Sequence, residues 1–152
     1  MKIVVQRCKN AKVEVEEKVV GSIEHGLVLL VAFTKGDTEK EIDYMIDKII
    51  HLRIFDDEFG VMNLSLQDVQ GEVLSVSQFT LYADTRKGRR PSYVNALNGE
   101  EAKKLYDQFN QKLKTTLGKL ETGIFGADMQ VSLTNDGPVT IILEKEGEFF
   151  GK

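Results

Sequence analysis

A chain of 152 residues with 41% hydrophobic and 29% charged residues can bury a sizeable core and fits one domain, residues 1–152. Its net charge of −4 argues against a general nucleic-acid coat, and its single cysteine excludes an internal disulfide. No apolar run approaches the roughly 20 residues of a membrane helix, and "MKIVVQRCKN" enters alternating residues without a signal-peptide segment, so the expected compartment is the cytoplasm.

The first 33 residues predict β structure. "KIVVQRCKN" and "AKVEVEE" carry β-branched residues near period two, "KVVGSIEHG" carries turn residues, and "GLVLLVAF" (26–33) is continuous and apolar. A helix follows. Thr38 stands three residues before Glu41, the pattern of a capping box, and Ile42, Met45, Ile46, Ile49 and Ile50 fall on one face. "DDEFG" (56–60) predicts a turn. "GEVLSVSQFTLYA" (71–83) predicts a strand whose alternation shifts around Gln78, and "DTRKGRRPS" (84–92) a basic loop. A second helix starts near Asn98, with Ala102, Leu105, Tyr106, Phe109 and Leu113 as its stripe and Gly118 as its stop. "MQVSL" and "VTIILEKE" predict closing strands. Gly137-Pro138 breaks them apart, because proline has no N–H for a ladder. This order gives an α+β class: a curved, mainly antiparallel or mixed sheet approaching a barrel, with two amphipathic helices.

Common catalytic machinery is missing. The chain has no Walker A or Rossmann glycine pattern and no Cys/His cluster for zinc. His25, in a predicted turn, and His51, at a helix end, read as surface histidines rather than general bases. Cys8 reads as a small semi-buried residue rather than a nucleophile.

Two features carry possible chemistry. In "SQFTL" (77–81), Ser77, Gln78 and Thr80 place hydroxyl and amide groups at the end of an apolar strand. They suit an ester carbonyl or a sugar hydroxyl, and equally the wet face of a strand leaving the core. In "RKGRR" (86–90), Arg86, Lys87, Arg89 and Arg90 form a positive loop, suited to phosphate contact or simply solvated. Tyr82 and Tyr93 flank that loop as base-stacking or framework aromatics. From the residues alone an enzyme, a non-catalytic RNA-binding module and a small-molecule-binding barrel stay open.

Taken together, "SQFTL" and "NDGPVT" (135–140) resemble the D-aminoacyl-tRNA deacylase family, which carries an SQFTL motif and an N-x-G-P-[VF]-T motif. Both are complete, in order and about 55 residues apart. "VVQR", with Arg7, and R-x-G-x-R-P-S (86–92) are similar to the family too, and the likeness spans nearly the whole chain. The resemblance implies hydrolysis of the ester between a D-amino acid and the tRNA 3′ end by a cytoplasmic homodimer of barrel-like α+β fold, without metal or cofactor. It further implies a cis Gly137-Pro138 bond in the partner subunit's active site, held by Arg7. Backbone carbonyls there would bind the substrate ammonium group and leave no room for an L side chain. Glycine escapes such a filter, so glycyl-tRNA, including glycine mischarged on tRNA-Ala, is a further expected substrate. Residues Ser77, Gln78, Phe79 and Thr80 are the catalytic candidates, with Gln78 and Phe79 holding the terminal adenosine. Thr80 lacks an evident activating base. The favoured chemistry therefore polarises the ester with groups around residues 77–80 and uses the terminal ribose 2′-OH to position or activate water.

Overall fold

The computed structural model describes residues 1–146. The period-two stretches at the N-terminus form one long antiparallel hairpin, β1 (Lys2–Val15) and β2 (Lys18–Ala32), with Lys2 opposite Ala32 and Val15 opposite Lys18. His25 lies inside β2 rather than in the expected turn, with its ring 5.6 Å from that of Phe55. The glycine after it explains the difference. A Cβ on Gly26 would lie 1.8 Å from the Glu72 carbonyl oxygen, so Gly26 admits a neighbouring strand instead of reversing the chain.

α1 (Glu39–His51) starts with the predicted capping box. Lys40 N–H donates to Thr38 Oγ1 at 3.2 Å, and Thr38 N–H donates to Glu41 Oε1 at 2.7 Å. Ile42, Met45, Ile46 and Ile49 are buried. Each such side chain contributes about 1.5–3 kcal/mol on leaving water. The expected turn at 56–60 becomes the tip of a small hairpin, β3 (Phe55–Asp56) and β4 (Met62–Leu64).

β5 (Glu72–Ser77) lies parallel to β2, with Val31 opposite Ser77. The strand expected to reach residue 83 ends there. Gln78 N–H still donates to the Val31 carbonyl at 2.7 Å, but β2 stops at Ala32 and offers no further partner. Residues Phe79–Tyr82 instead form a 3₁₀ turn, closed by Leu81 N–H on the Gln78 carbonyl at 3.2 Å.

α2 (Gly99–Leu117) buries Ala102, Tyr106, Phe109 and Leu113 and stops at Gly118, as its stripe predicts. Asn98 heads the helix without a side-chain cap bond. Thr38→Ala should therefore lower stability by about 1 kcal/mol, and Asn98→Ala by only a few tenths. Urea denaturation of the two variants measures this difference.

β6 (Glu121–Thr122) joins β5 in parallel, and β7 (Gln130–Glu144) joins β1 antiparallel. The five-stranded order is β6-β5-β2-β1-β7. Both helices pack on one face, over Ile3, Val5, Leu27, Leu29 and Val31. A second core gathers Cys8, Ala11, Val13, Ile23, Val28, Leu74 and Val76, with Met129, Val131 and Leu133 half-buried against it. The edge strands β6 and β7 do not pair with each other, so the mixed sheet does not close into a barrel.

Gly137-Pro138 does not split two strands. It interrupts the pairing of one continuous strand. The register jumps from Gln6 opposite Thr140 to Cys8 opposite Asn135, leaving residues 136–139 unpaired across from Arg7. A bulge of this kind accommodates proline's missing donor.

Candidate functional site

The end of β5 opens into a pocket of about 410 Å³. Ser77, Gln78 and Phe79 form one wall. Ala32 and Phe33 from the end of β2, Tyr106 from α2, and Phe125 and Met129 from the segment before β7 form much of the rest. The pocket is mainly apolar with a few polar side chains, a common composition for a small-molecule site. Asn98 also lines it. The sequence shows this residue only as a helix start. Its missing cap bond leaves the amide available to a ligand. Phe125 and Met129 carry no local signal, since they reach the pocket only through the pairing of β7 with β1.

Phe79 is 48% exposed, and its ring meets Tyr93 edge-on with centroids 5.2 Å apart. The Thr80 hydroxyl oxygen accepts a hydrogen bond from Gln78 Nε2 at 2.6 Å. An amide N–H takes no proton from a hydroxyl, so this contact fixes Thr80 without activating it as a nucleophile. The N–H groups of Phe79 and Thr80, at the start of the 3₁₀ turn, have no acceptor within it. They are available to an incoming oxygen.

Arg7, Gly137 and Pro138 form a second group. Arg7 is 6% exposed. Its Nε donates to the Asp136 carbonyl at 3.0 Å, and its Nη1 donates to the Ile54 carbonyl at 2.7 Å. Asp56 Oδ1 lies 3.4 Å from Nη1, and Asp136 Oδ2 3.7 Å from Nε. One buried guanidinium thus ties the bulge of β7 to the β3–β4 hairpin. The hairpin's part is invisible in the sequence, where 56–60 reads as a bare turn. The Gly137-Pro138 bond is cis. Gly137 has φ +125°, and a Cβ there would lie 3.0 Å from Arg7 Nη2 and from Val139 Cγ2. Only glycine fits without moving Arg7.

Within one chain the two groups stay apart. Ser77 shares a row of the sheet with Val31, Ile3 and Leu143, whereas Gly137 sits level with Arg7 and Leu27. Four residues and three strand spacings separate them, about 20 Å along the sheet. Gly137 and Pro138 do not line the pocket beside Ser77 and are exposed.

The basic loop forms a third group. Paired N–H···O bonds between Asp84 and Ser92, 2.7 and 2.9 Å, close its base. Arg86 turns inward on Asp84, Nε to Oδ1 at 2.9 Å and Nη2 to Oδ2 at 2.8 Å, which holds that carboxyl down at about 2. Lys87, Arg89 and Arg90 are exposed and have no ion-pair partner among the described residues.

The remaining candidates behave as structural groups. Cys8 is fully buried, and desolvation pushes its thiol up to about 11, leaving it protonated and inert. His51 is exposed, with Nδ1 2.9 Å from the Asp47 carbonyl. Among the described residues no group of three or more His, Cys, Asp or Glu could hold a metal ion, and no helix is long and apolar enough to cross a membrane.

Residues 4–144 match the family described as D-Tyr-tRNA(Tyr) deacylase. This chain belongs to the D-aminoacyl-tRNA deacylase family. Relatives named D-aminoacyl-tRNA deacylase from Clostridium tetani and Thermosipho africanus are each 58% identical over 149 residues, covering 98% of this chain and all of theirs. A solved structure named c-Myc DNA Unwinding Element Binding Protein superposes with a TM-score of 0.91 at 41% identity, covering 97% of this chain and 100% of that one. A probable eukaryotic D-amino acid tRNA deacylase shares the fold at a TM-score of 0.84 and 17% identity, over 93% of this chain and 97% of its own. As a member of this deacylase family the chain is an enzyme, and its α+β sheet with two helices is the fold of its solved neighbours.

Proposed function

We propose that this protein hydrolyses the ester of D-aminoacyl-tRNA in a site built from two copies of the chain. The separation of two complete motifs carries this reading: Ser77, Gln78 and Phe79 line an open pocket with Thr80 next to them, while Gly137 and Pro138 stand exposed about 20 Å away along the sheet. A second chain supplies the missing half. On the sheet face opposite the helices, Leu30, Val4 and Ile142 lie side by side in register, and Ile142 is 64% exposed. In this reading that stripe packs against its copy, and the Arg7-anchored bulge of each subunit meets the partner's residues 77–80.

The terminal adenosine then lies along Phe79 and Gln78. The open N–H groups of the 3₁₀ turn hold the ester carbonyl oxygen as charge develops on it. Water adds to the carbonyl carbon, the bond to the ribose 3′-oxygen breaks, and the products are the free D-amino acid and tRNA. The ribose 2′-OH positions or activates that water. Carbonyls of the Gly137-Pro138 segment take the substrate ammonium and block the volume of an L side chain. Glycine passes the same filter, so glycyl-tRNA, including glycine mischarged on tRNA-Ala, is also a substrate. The reaction needs no cofactor, and its substrate places the enzyme in the cytoplasm.

Incubation of the purified protein with D-Tyr-tRNA and L-Tyr-tRNA tests the reading. Loss of the D ester alone supports it. Equal loss of both, or binding without hydrolysis, contradicts it. The basic loop supplies acceptor-stem contacts through Lys87, Arg89 and Arg90, with Arg86 contributing less because Asp84 neutralises it. Replacing all four with alanine should flatten the dependence of log K on log salt by about 2–3, similarly for many tRNAs. An unchanged slope in a salt titration removes the loop from the interface.

A further inference from the structure

We infer that Tyr93 is a stacking platform for the unpaired nucleotide preceding the terminal adenosine, an inference that rests on the function proposed above. Tyr93 stands ring to ring with Phe79, which lines the pocket. Phe79 is 48% exposed, Tyr93 is 39% exposed, and their planes meet at 68°. An edge-on pair holds each ring in place and leaves ring face to solvent.

The neighbouring charge selects the ligand. Arg90 lies three residues before Tyr93, beyond the pairing of Asp84 with Ser92 that closes the loop. Lys87, Arg89 and Arg90 are exposed and unpaired among the described residues, in a chain of net charge −4. Exposed rings on a segment that directly follows a positively charged loop fit a single-stranded nucleotide, with base on ring and phosphate on cation. Tyr93 itself is fixed from behind, because its carbonyl accepts from Ala96 N–H at 3.0 Å and Leu97 N–H bonds the Phe33 carbonyl at 2.9 Å. Tyr82, at the other end of the loop, is buried and serves the framework. If Phe79 packs the terminal base, Tyr93 takes the one before it.

The test compares Tyr93→Ala and Tyr93→Phe on two substrates, D-Tyr-tRNA and D-tyrosyl-adenosine, which lacks the preceding nucleotides. Tyr93→Ala should raise KM for D-Tyr-tRNA roughly tenfold with kcat unchanged, as expected for one lost stack. Tyr93→Phe should behave as wild type on both substrates, and Tyr93→Ala, which only loosens Phe79, should harm D-tyrosyl-adenosine far less than D-Tyr-tRNA. A tRNA minihelix carrying 2-aminopurine before the terminal adenosine should be quenched by wild type and not by Tyr93→Ala. Equal damage to both substrates, no effect on either, or conversion of the protein to monomers in sedimentation would overturn the assignment. If wild type cleaves neither ester the proposed function fails, and the quenching alone then decides whether Tyr93 stacks a base.

Discussion

A D-aminoacyl-tRNA whose terminal adenosine lacks the 2′-OH is expected to react at least about 100-fold more slowly than the native substrate, the scale of a lost proton-transfer or positioning group. Thr80→Ala should slow the native substrate only about tenfold, the scale of one lost hydrogen-bonding group. The reason lies in one contact. Thr80 Oγ1 accepts from Gln78 Nε2 at 2.6 Å, and that donor abstracts no proton. Neither His25 nor His51 lines the pocket. A serine or threonine nucleophile without a base is too weak to attack an ester at neutral pH. In the proposed mechanism the substrate's own hydroxyl, vicinal to the scissile bond, organises the water. Single-turnover rates with both substrates and both proteins decide the matter. A dead Thr80→Ala enzyme that leaves the deoxy substrate fully reactive makes Thr80 the nucleophile.

The second large effect concerns Arg7. Arg7→Ala should lower stability by about 2–4 kcal/mol, because it strands the buried Ile54 carbonyl and the half-buried Asp136 carbonyl. It should also erode discrimination between D and L esters, since the bulge loses the group that aims it. Gly137→Ala should lower stability by about 1–3 kcal/mol and harm selectivity as much. A Cβ there meets Arg7 Nη2 at 3.0 Å on a backbone with φ +125°, a conformation that costs a non-glycine residue about 1–3 kcal/mol. Chemical denaturation gives the first quantity, and the ratio of kcat/KM for D-Tyr-tRNA and L-Tyr-tRNA gives the second. Retained selectivity in both variants would detach the bulge from chiral recognition.

Local pattern predicted the helices well. The Thr38–Glu41 box, the Ile42–Ile49 face and the Gly118 stop all depend on residues within a few positions of one another. The errors arose where a distant partner decides. Residues 79–82 read as strand because Phe79 and Leu81 continue an apolar alternation, yet β2 ends at Ala32 and gives them nothing to pair with. His25 read as a turn because Gly26 follows it, although that glycine serves contact with Glu72, 46 residues on. Gly137-Pro138 read as a break, but it is a bulge matched to Arg7, about 130 residues earlier. Likewise Ser77, Gln78 and Phe79 were legible through their motif. Asn98, Phe125 and Met129 were not, because only the folded sheet brings them to one pocket.

The claim that two chains build each site is tested most directly by subunit complementation. One chain carries Gln78→Ala and Phe79→Ala, the other Arg7→Ala and Gly137→Ala, and differently tagged copies are co-expressed and purified as the mixed dimer. Neither parent alone should hydrolyse D-Tyr-tRNA selectively. The mixed dimer contains one intact composite site, and about half of the wild-type D-selective activity is expected to return. A mixed dimer no better than its parents would contradict a shared site and place both motifs' work within single chains.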